Sequence, residues 1–250
     1  DKPIASKILK YSVFDLYGNF SVTAKNQGRV FLINMCFGVA INAASSIANV
    51  VTGTIWGFTG AIQQAFRPQI IKCYAAGDIN QMQQVSVNSI KYAFLLMSIM
   101  AVPVIYEANY VFTLWLGIVP NYTVIFCRLI ILGNFVGICA GVVVTIIHAT
   151  GNIKRLSFIS GTVHLLTVPI TYFMYLAEFP VESAFILEVI SLVTIFVINL
   201  FIVKYNIREI AVSRFCYAVI IAIAAIIPGV LLSYFCHITL SEGFLSLITS

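Results

Sequence analysis

Residues 124–148 read VIFCRLIILGNFVGICAGVVVTIIH and contain one charged side chain, that of Arg128. An α-helix needs about 20 mostly apolar residues to cross the ~30 Å hydrocarbon core of a bilayer, so this stretch is long enough to span it. The strands of a transmembrane β-barrel are shorter, at ~10 residues, and alternate between apolar and polar side chains. The stretch therefore predicts a membrane-spanning α-helix.

Apolar blocks of this length occupy most of the chain. Hydrophobic residues make up 60% of its 250 residues and charged residues 9%, whereas soluble domains are about 45–50% apolar and about 25% charged. The sequence predicts an all-α integral membrane protein with about seven transmembrane helices. The predicted spans are 9–33, 39–66, 86–108, 121–148, 155–177, 181–204 and 214–236.

Basic residues mark alternate connections between these spans. They are Lys2, Lys7, Lys10, Arg67, Lys72, Lys91, Lys154, Arg155, Lys204, Arg208 and Arg214. The other connections contain Glu107, Glu178, Glu182 and Glu242 and no Lys or Arg. Because Lys and Arg accumulate in cytoplasmic loops, the pattern predicts a cytoplasmic N-terminus. The basic residues are scattered singly over four connections, which argues against a nucleic-acid partner.

The longest predicted connection lies on this basic side. Residues 67–85 are predicted to form a polar loop that begins at Pro68 and is broken by Gly77 and Asp78. Residues 79–91 are predicted to lie along the inner membrane surface as an amphipathic segment before the third span begins.

The first span is the most polar one. Lys25 and Arg29 are four residues apart and share a helix face, with Asn26 and Gln27 beside them. One interpretation is a helix that lines a watery cavity and attracts an anionic substrate group such as a phosphate. The alternative is that the helix ends near residue 24 and both charges extend to the outer interface.

Two further charged residues inside predicted spans are candidate site residues. Arg128 either extends outward to the interface or contacts a substrate anion in a cavity. Asp15 is interpreted as the one acid well inside a span. It is either a protonation or ion-coupling site, or a carboxylate that lies at a helix terminus or is satisfied by a neighbouring partner.

Motifs for covalent chemistry are absent from the sequence. It contains no phosphate-binding GxxxxGK[ST] loop, no HExxH, no GxSxG and no GxGxxG after a predicted strand. His148, His164 and His237 are far apart, with no carboxylate at ligand spacing. The sequence therefore predicts a protein that is not an enzyme and that has no metal site and no cofactor.

Short motifs occur in order along residues 6–155. They include Asn26-Gln27-Gly28, Asn42-Ala43-Ala44, Gln64-Ala65-Phe66-Arg67-Pro68, Ala75-Ala76-Gly77-Asp78, Leu114-Trp115-Leu116-Gly117 and His148-Ala149-Thr150-Gly151-Asn152. This order resembles the second half of polysaccharide-export flippases, which belong to the multidrug/oligosaccharidyl-lipid/polysaccharide exporter superfamily. After residue 156 the resemblance is limited to hydropathy. Lys25 and Arg29 depart from the family, whose close members are usually uncharged at these positions.

The resemblance implies a fold and a function. Residues 1–206 would be the second six-helix lobe of a two-lobe exporter, and 207–250 one additional helix with a truncated tail. The partner of this lobe would be the missing N-terminal lobe of the same, longer protein. The whole would move undecaprenyl-pyrophosphate-linked oligosaccharide across the bacterial cytoplasmic membrane, by alternating access of its two lobes.

Two other functions fit a helical membrane protein. One is an efflux carrier for amphipathic cations in the same superfamily, for which carboxylates and aromatic side chains would be expected in the cavity. The other is a non-transporting membrane scaffold subunit. In each case membrane lipid is a partner of the exposed apolar helix surfaces.

Overall fold

The computed structural model describes residues 2–224 and residue 227. These residues contain eight helices. They are α1 (Lys2–Phe37), α2 (Val39–Ala75), α3 (Ile79–Tyr106), α4 (Ala108–Leu116), α5 (Thr123–Ala149), α6 (Lys154–Leu176), α7 (Ser183–Asn206) and α8 (Val212–Ala224). In the predicted seventh span, 225–226 and 228–236 lie outside the described residues, as does the tail 237–250.

Five helices are long and apolar enough to cross a membrane, namely α2, α3, α5, α6 and α7. Helix α1 is 36 residues long but is more polar. The predicted spans correspond to these six helices and to α8, and α4 is an additional short helix. The prediction of an all-α integral membrane protein with about seven spans is confirmed.

The second span is longer than predicted, and Pro68 does not end it. Helix α2 continues through Pro68 to Ala75. Proline removes the backbone hydrogen bond to residue 64, but Gln64 and Pro68 are both exposed, so water can satisfy the freed carbonyl where the helix leaves the hydrocarbon. The turn follows at Gly77, whose φ of +76° suits glycine.

The predicted surface segment 79–91 is instead the first part of α3. Asp78 caps this helix, because its carboxylate accepts a hydrogen bond from the backbone N–H of Gln81 at 2.9 Å. Met82 and Ile90 are fully buried. This part of α3 packs into the bundle, so the apolar face that suggested a surface segment belongs to the core.

Helix α4 lies in the connection between the third and fourth predicted spans and was not predicted. It has nine residues, too few to cross a membrane. Ala108 and Phe112 anchor it in the core, and Gly117, with φ of +73°, ends it.

The helices pack in a fixed order around the core. Helix α1 packs on α6, α6 on α7, α7 on α5, and α5 on α2, which also packs on α3. Glycines permit the closest of these contacts: a Cβ at Gly28 of α1 would lie 2.7 Å from Val168 of α6, and one at Gly161 would lie 2.8 Å from Tyr17. Close approach at small residues is typical of membrane helices.

The predicted basic connections meet at one end of the bundle. The hydroxyl of Tyr11 lies 2.8 Å from Nδ1 of His148, and Asn152 bonds Asn206 at 3.2 Å. These contacts join the N-terminal half of α1, the turn between α5 and α6, and the end of α7. The acidic turn between α6 and α7 lies at the opposite end, so the charge asymmetry predicted from the sequence is a property of the folded chain.

Candidate functional site

Three charged side chains form a cluster inside the bundle. Nζ of Lys25 lies 2.7 Å from Oε1 of Glu188, and the guanidinium of Arg29 contacts Oε2 of the same carboxylate. The side chains of Lys25 and Arg29 are only 10% and 14% exposed. The two cations therefore neither end α1 nor extend to the interface, and that alternative is wrong.

Helix packing explains why these residues meet. Helices α1 and α7 both pack on α6, and the ion pairs connect α1 with α7. Lys25 and Arg29 are one helical turn apart, so both reach Glu188 from the same side. Phe185, one turn before Glu188, places its ring centroid 4.9 Å from the Arg29 guanidinium. The cluster is thus fixed by aromatic contact as well as by charge.

The cluster contains two cations and one carboxylate. A buried charge is tolerated when it is paired and hydrogen-bonded, and an unpaired one is strongly unfavourable. Nε of Arg29 is buried without a hydrogen-bond partner. The cluster therefore has one surplus positive charge and an unused donor, and both favour an anion from outside the cluster.

A cavity of about 310 Å³ lies beside Arg29 and Glu188. Four amide side chains contribute to its wall, namely Asn26, Gln27, Asn49 and Asn134. Amide side chains donate to and accept from hydroxyl and phosphate oxygens. The wall combines a cation, a carboxylate and four amides, a set suited to a polar, anionic ligand.

Of the five side chains predicted to bind substrate, three line this cavity: Asn26, Gln27 and Arg29. Lys25 lies behind them and, with Arg29 and Glu188, borders a much smaller space against α6. Their binding of a substrate stays a prediction.

Arg128 lies apart from the cluster. It is exposed, and its Nε donates a hydrogen bond to the carbonyl oxygen of Ile105 at 3.0 Å. The large cavity is lined by its neighbours Leu129 and Ile130 but not by Arg128. The placement agrees with the interpretation that Arg128 extends outward. Its hydrogen bond joins the start of α5 to the end of α3.

Asp15 borders a second cavity of about 160 Å³ at the end of the bundle that holds the basic connections. Its carboxylate accepts a hydrogen bond from Asn19 at 3.1 Å. His148, His164 and Asn199 also line this cavity. Asn199 is fully buried, and its Nδ2 is without a hydrogen-bond partner. The second cavity therefore has several polar groups in a partly apolar wall, and Asp15 is its carboxylate.

Glu188 was missed by the sequence interpretation, which took Asp15 as the one acid well inside a span. That interpretation is wrong, because Glu188 lies in the second turn of α7, within the predicted span 181–204. A lone carboxylate in an apolar block was the available signal. Asn134 of α5 was missed as well, and a single amide in a span gives little indication of its role.

Among residues 2–224 and 227, no three His, Cys, Asp or Glu side chains lie close enough together to hold a metal ion.

Comparisons of the chain with protein-family models, with curated proteins and with solved structures find no match. The fold and the hydropathy of its helices nevertheless define a class, that of multi-pass α-helical membrane proteins.

Proposed function

We propose that this chain is part of a flippase that moves a lipid-linked oligosaccharide pyrophosphate across the bacterial cytoplasmic membrane. The observation that supports the proposal is the surplus positive charge of Lys25, Arg29 and Glu188 at the wall of a polar cavity. The pyrophosphate of such a glycolipid is anionic and its sugars are rich in hydroxyls, which match the cation and the amides of the wall.

The position of the cluster favours transport over a scaffold role. A charged side chain inside a span is costly, by up to about 2.5–3.5 kcal/mol at the centre on insertion scales. Arg29 and Glu188 line one open cavity, and Lys25 pairs with Glu188 behind them. Charged residues inside spans that face a cavity are typical of a substrate path, whereas a scaffold needs none of them. An exporter of amphipathic cations is disfavoured as well, because the charge of the cluster would repel its substrate.

The second cavity supplies a candidate coupling site. Asp15 lies there as a carboxylate beside two histidines, in the half of the bundle opposite the Arg29 cavity. We propose that Asp15 binds the coupling ion, and that a second lobe, packed against this one, completes the path between the leaflets.

The experiment that tests the function is transport by the full protein in liposomes. With a fluorescent polyprenyl-pyrophosphate-linked sugar, Arg29→Gln is expected to slow translocation about tenfold or more, because a charge-assisted hydrogen bond contributes about 1.5–3 kcal/mol. Lys72→Gln, which removes an exposed cation of α2, is the matched control and should transport at the wild-type rate. Equal rates for Arg29→Gln and wild type would exclude the cavity cation from transport.

A labelling experiment tests the proposed orientation, in which the basic end of the bundle faces the cytoplasm. In a variant without the six native cysteines, Asp78→Cys should react with a membrane-impermeant maleimide only after the inner face is opened. Asn121→Cys, in the turn before α5, should react in intact cells. The reverse pattern would place the N-terminus outside.

A further inference from the structure

A groove between α6 and α7 lies on the outer surface of the bundle, away from the charge cluster. It has a volume of about 310 Å³ and is lined by Arg155, Ile159, Ile198, Phe201, Ile202 and Tyr205. Four of these six side chains are aliphatic or phenyl groups. Phe201 is 72% exposed and Tyr205 63% exposed, so the groove is open to whatever surrounds the protein.

Arg155 closes one end of this groove. Its guanidinium lies 3.6 Å from the ring centroid of Tyr205, a stacking contact that fixes its position. Both ion pairs of the described residues involve Glu188, so the charge of Arg155 has no acidic partner among them. The groove therefore has a fixed, uncompensated cation at one end and apolar walls along its length.

The groove is long enough for the upper part of one acyl chain. Arg155 is in the first turn of α6 and Tyr205 in the last turn of α7, which places both at the level where headgroups meet hydrocarbon. Ile198 is seven residues deeper along α7, or about 10 Å at 1.5 Å per residue. That length accommodates the upper part of an acyl chain.

We propose that this groove is a binding site for an anionic phospholipid, with the phosphate on Arg155 and one acyl chain along Ile159 and Phe201. Basic pockets between membrane helices are a known setting for anionic headgroups. Charge complementarity favours an anionic lipid over a zwitterionic one. Lipid is present at high concentration in the surrounding bilayer. A second copy of the chain is a less favourable occupant, because its own basic end would repel Arg155.

Native mass spectrometry of the full protein in detergent tests the proposal with two probes, phosphatidylglycerol and phosphatidylcholine of equal chain length. Wild type is expected to bind phosphatidylglycerol about fivefold more tightly than phosphatidylcholine. This is the ratio that corresponds to the attraction between one basic side chain and an anionic headgroup. Arg155→Gln should abolish this preference and Arg155→Lys should keep most of it. Ile159→Trp, which fills the groove, should weaken binding of both lipids.

Arg67→Gln is the matched control, since Arg67 is an exposed arginine of α2 outside the groove. It should keep the fivefold preference. Three results would overturn the proposal: an unchanged preference in Arg155→Gln, an equal loss in Arg67→Gln, or unchanged binding of both lipids by Ile159→Trp. Either of the first two results would mean that any preference for the anionic lipid comes from the overall charge of that end of the bundle. The third result would mean that no acyl chain binds in the groove.

Discussion

Replacing Glu188 with glutamine is expected to lower the melting temperature of the detergent-solubilised protein by about 6–12 °C. The substitution leaves Lys25 and Arg29 buried without a carboxylate. Removing one partner of a buried ion pair costs about 3–5 kcal/mol, and the lower end applies here because Glu188 is 21% exposed. About 3 kcal/mol corresponds to that temperature shift in a protein of this size. Intrinsic fluorescence during heating is the measurement.

Glu178→Gln is the matched control for this variant. Glu178 lies in the turn between α6 and α7 and is exposed, so its neutralisation should shift the melting temperature by less than about 2 °C. If Glu188→Gln had the same melting temperature as wild type, the two cations would have to be hydrated rather than stabilised by Glu188. The cluster would then be open to water instead of packed in the protein interior.

The pairing also changes how the two cations are best tested. Charge reversal of Lys25 and Arg29 together would place three carboxylates in one buried site. Like charges at this distance repel strongly in a medium of low dielectric constant, so that double variant is expected to fold poorly. Loss of export would then report misfolding rather than a lost substrate contact.

Hydropathy was sufficient to predict the spans, because hydrocarbon requires about 20 apolar residues in a row. It failed where a helix leaves the membrane. The extension of α2 from residue 67 to Ala75 is interrupted by Arg67, Gln69 and Lys72, and the beginning of α3 is polar. Water can hydrogen-bond the backbone groups of a loop as well as those of a helix end, so composition alone did not distinguish a helix from a polar loop there.

The candidate site was predictable only in part. The spacing of Lys25 and Arg29 specified a shared face of α1, a local property that follows from helix geometry. Their partner Glu188 is 163 residues from Lys25 along the chain. Which helices become neighbours depends on packing at small residues such as Gly28 and Gly161. Sequence periodicity contains no information on that choice, so the ion pair was found only in the folded structure.

The triple substitution Lys25→Met, Arg29→Met and Glu188→Leu is expected to slow glycolipid transport about tenfold or more while leaving the fold intact. Apolar side chains of similar volume often replace a buried ionic cluster with no loss of stability, and sometimes with a gain of about 1–4 kcal/mol. The melting temperature should therefore equal or exceed that of wild type. The cavity would keep its amides but lose the charge that binds an anion.

Transport in liposomes and melting temperature are measured on the same preparation of this variant. Translocation of the pyrophosphate-linked sugar is expected to fall at least as far as in Arg29→Gln, by about tenfold or more. Unchanged transport would show that the cluster is a structural feature of α1 and α7 with no part in substrate binding. A large fall in melting temperature would show instead that the ion pairs stabilise the bundle more than apolar packing can. In that case a loss of transport could come from loss of the fold, and only a stable variant separates the role of the three charges in binding an anion from their role in stability.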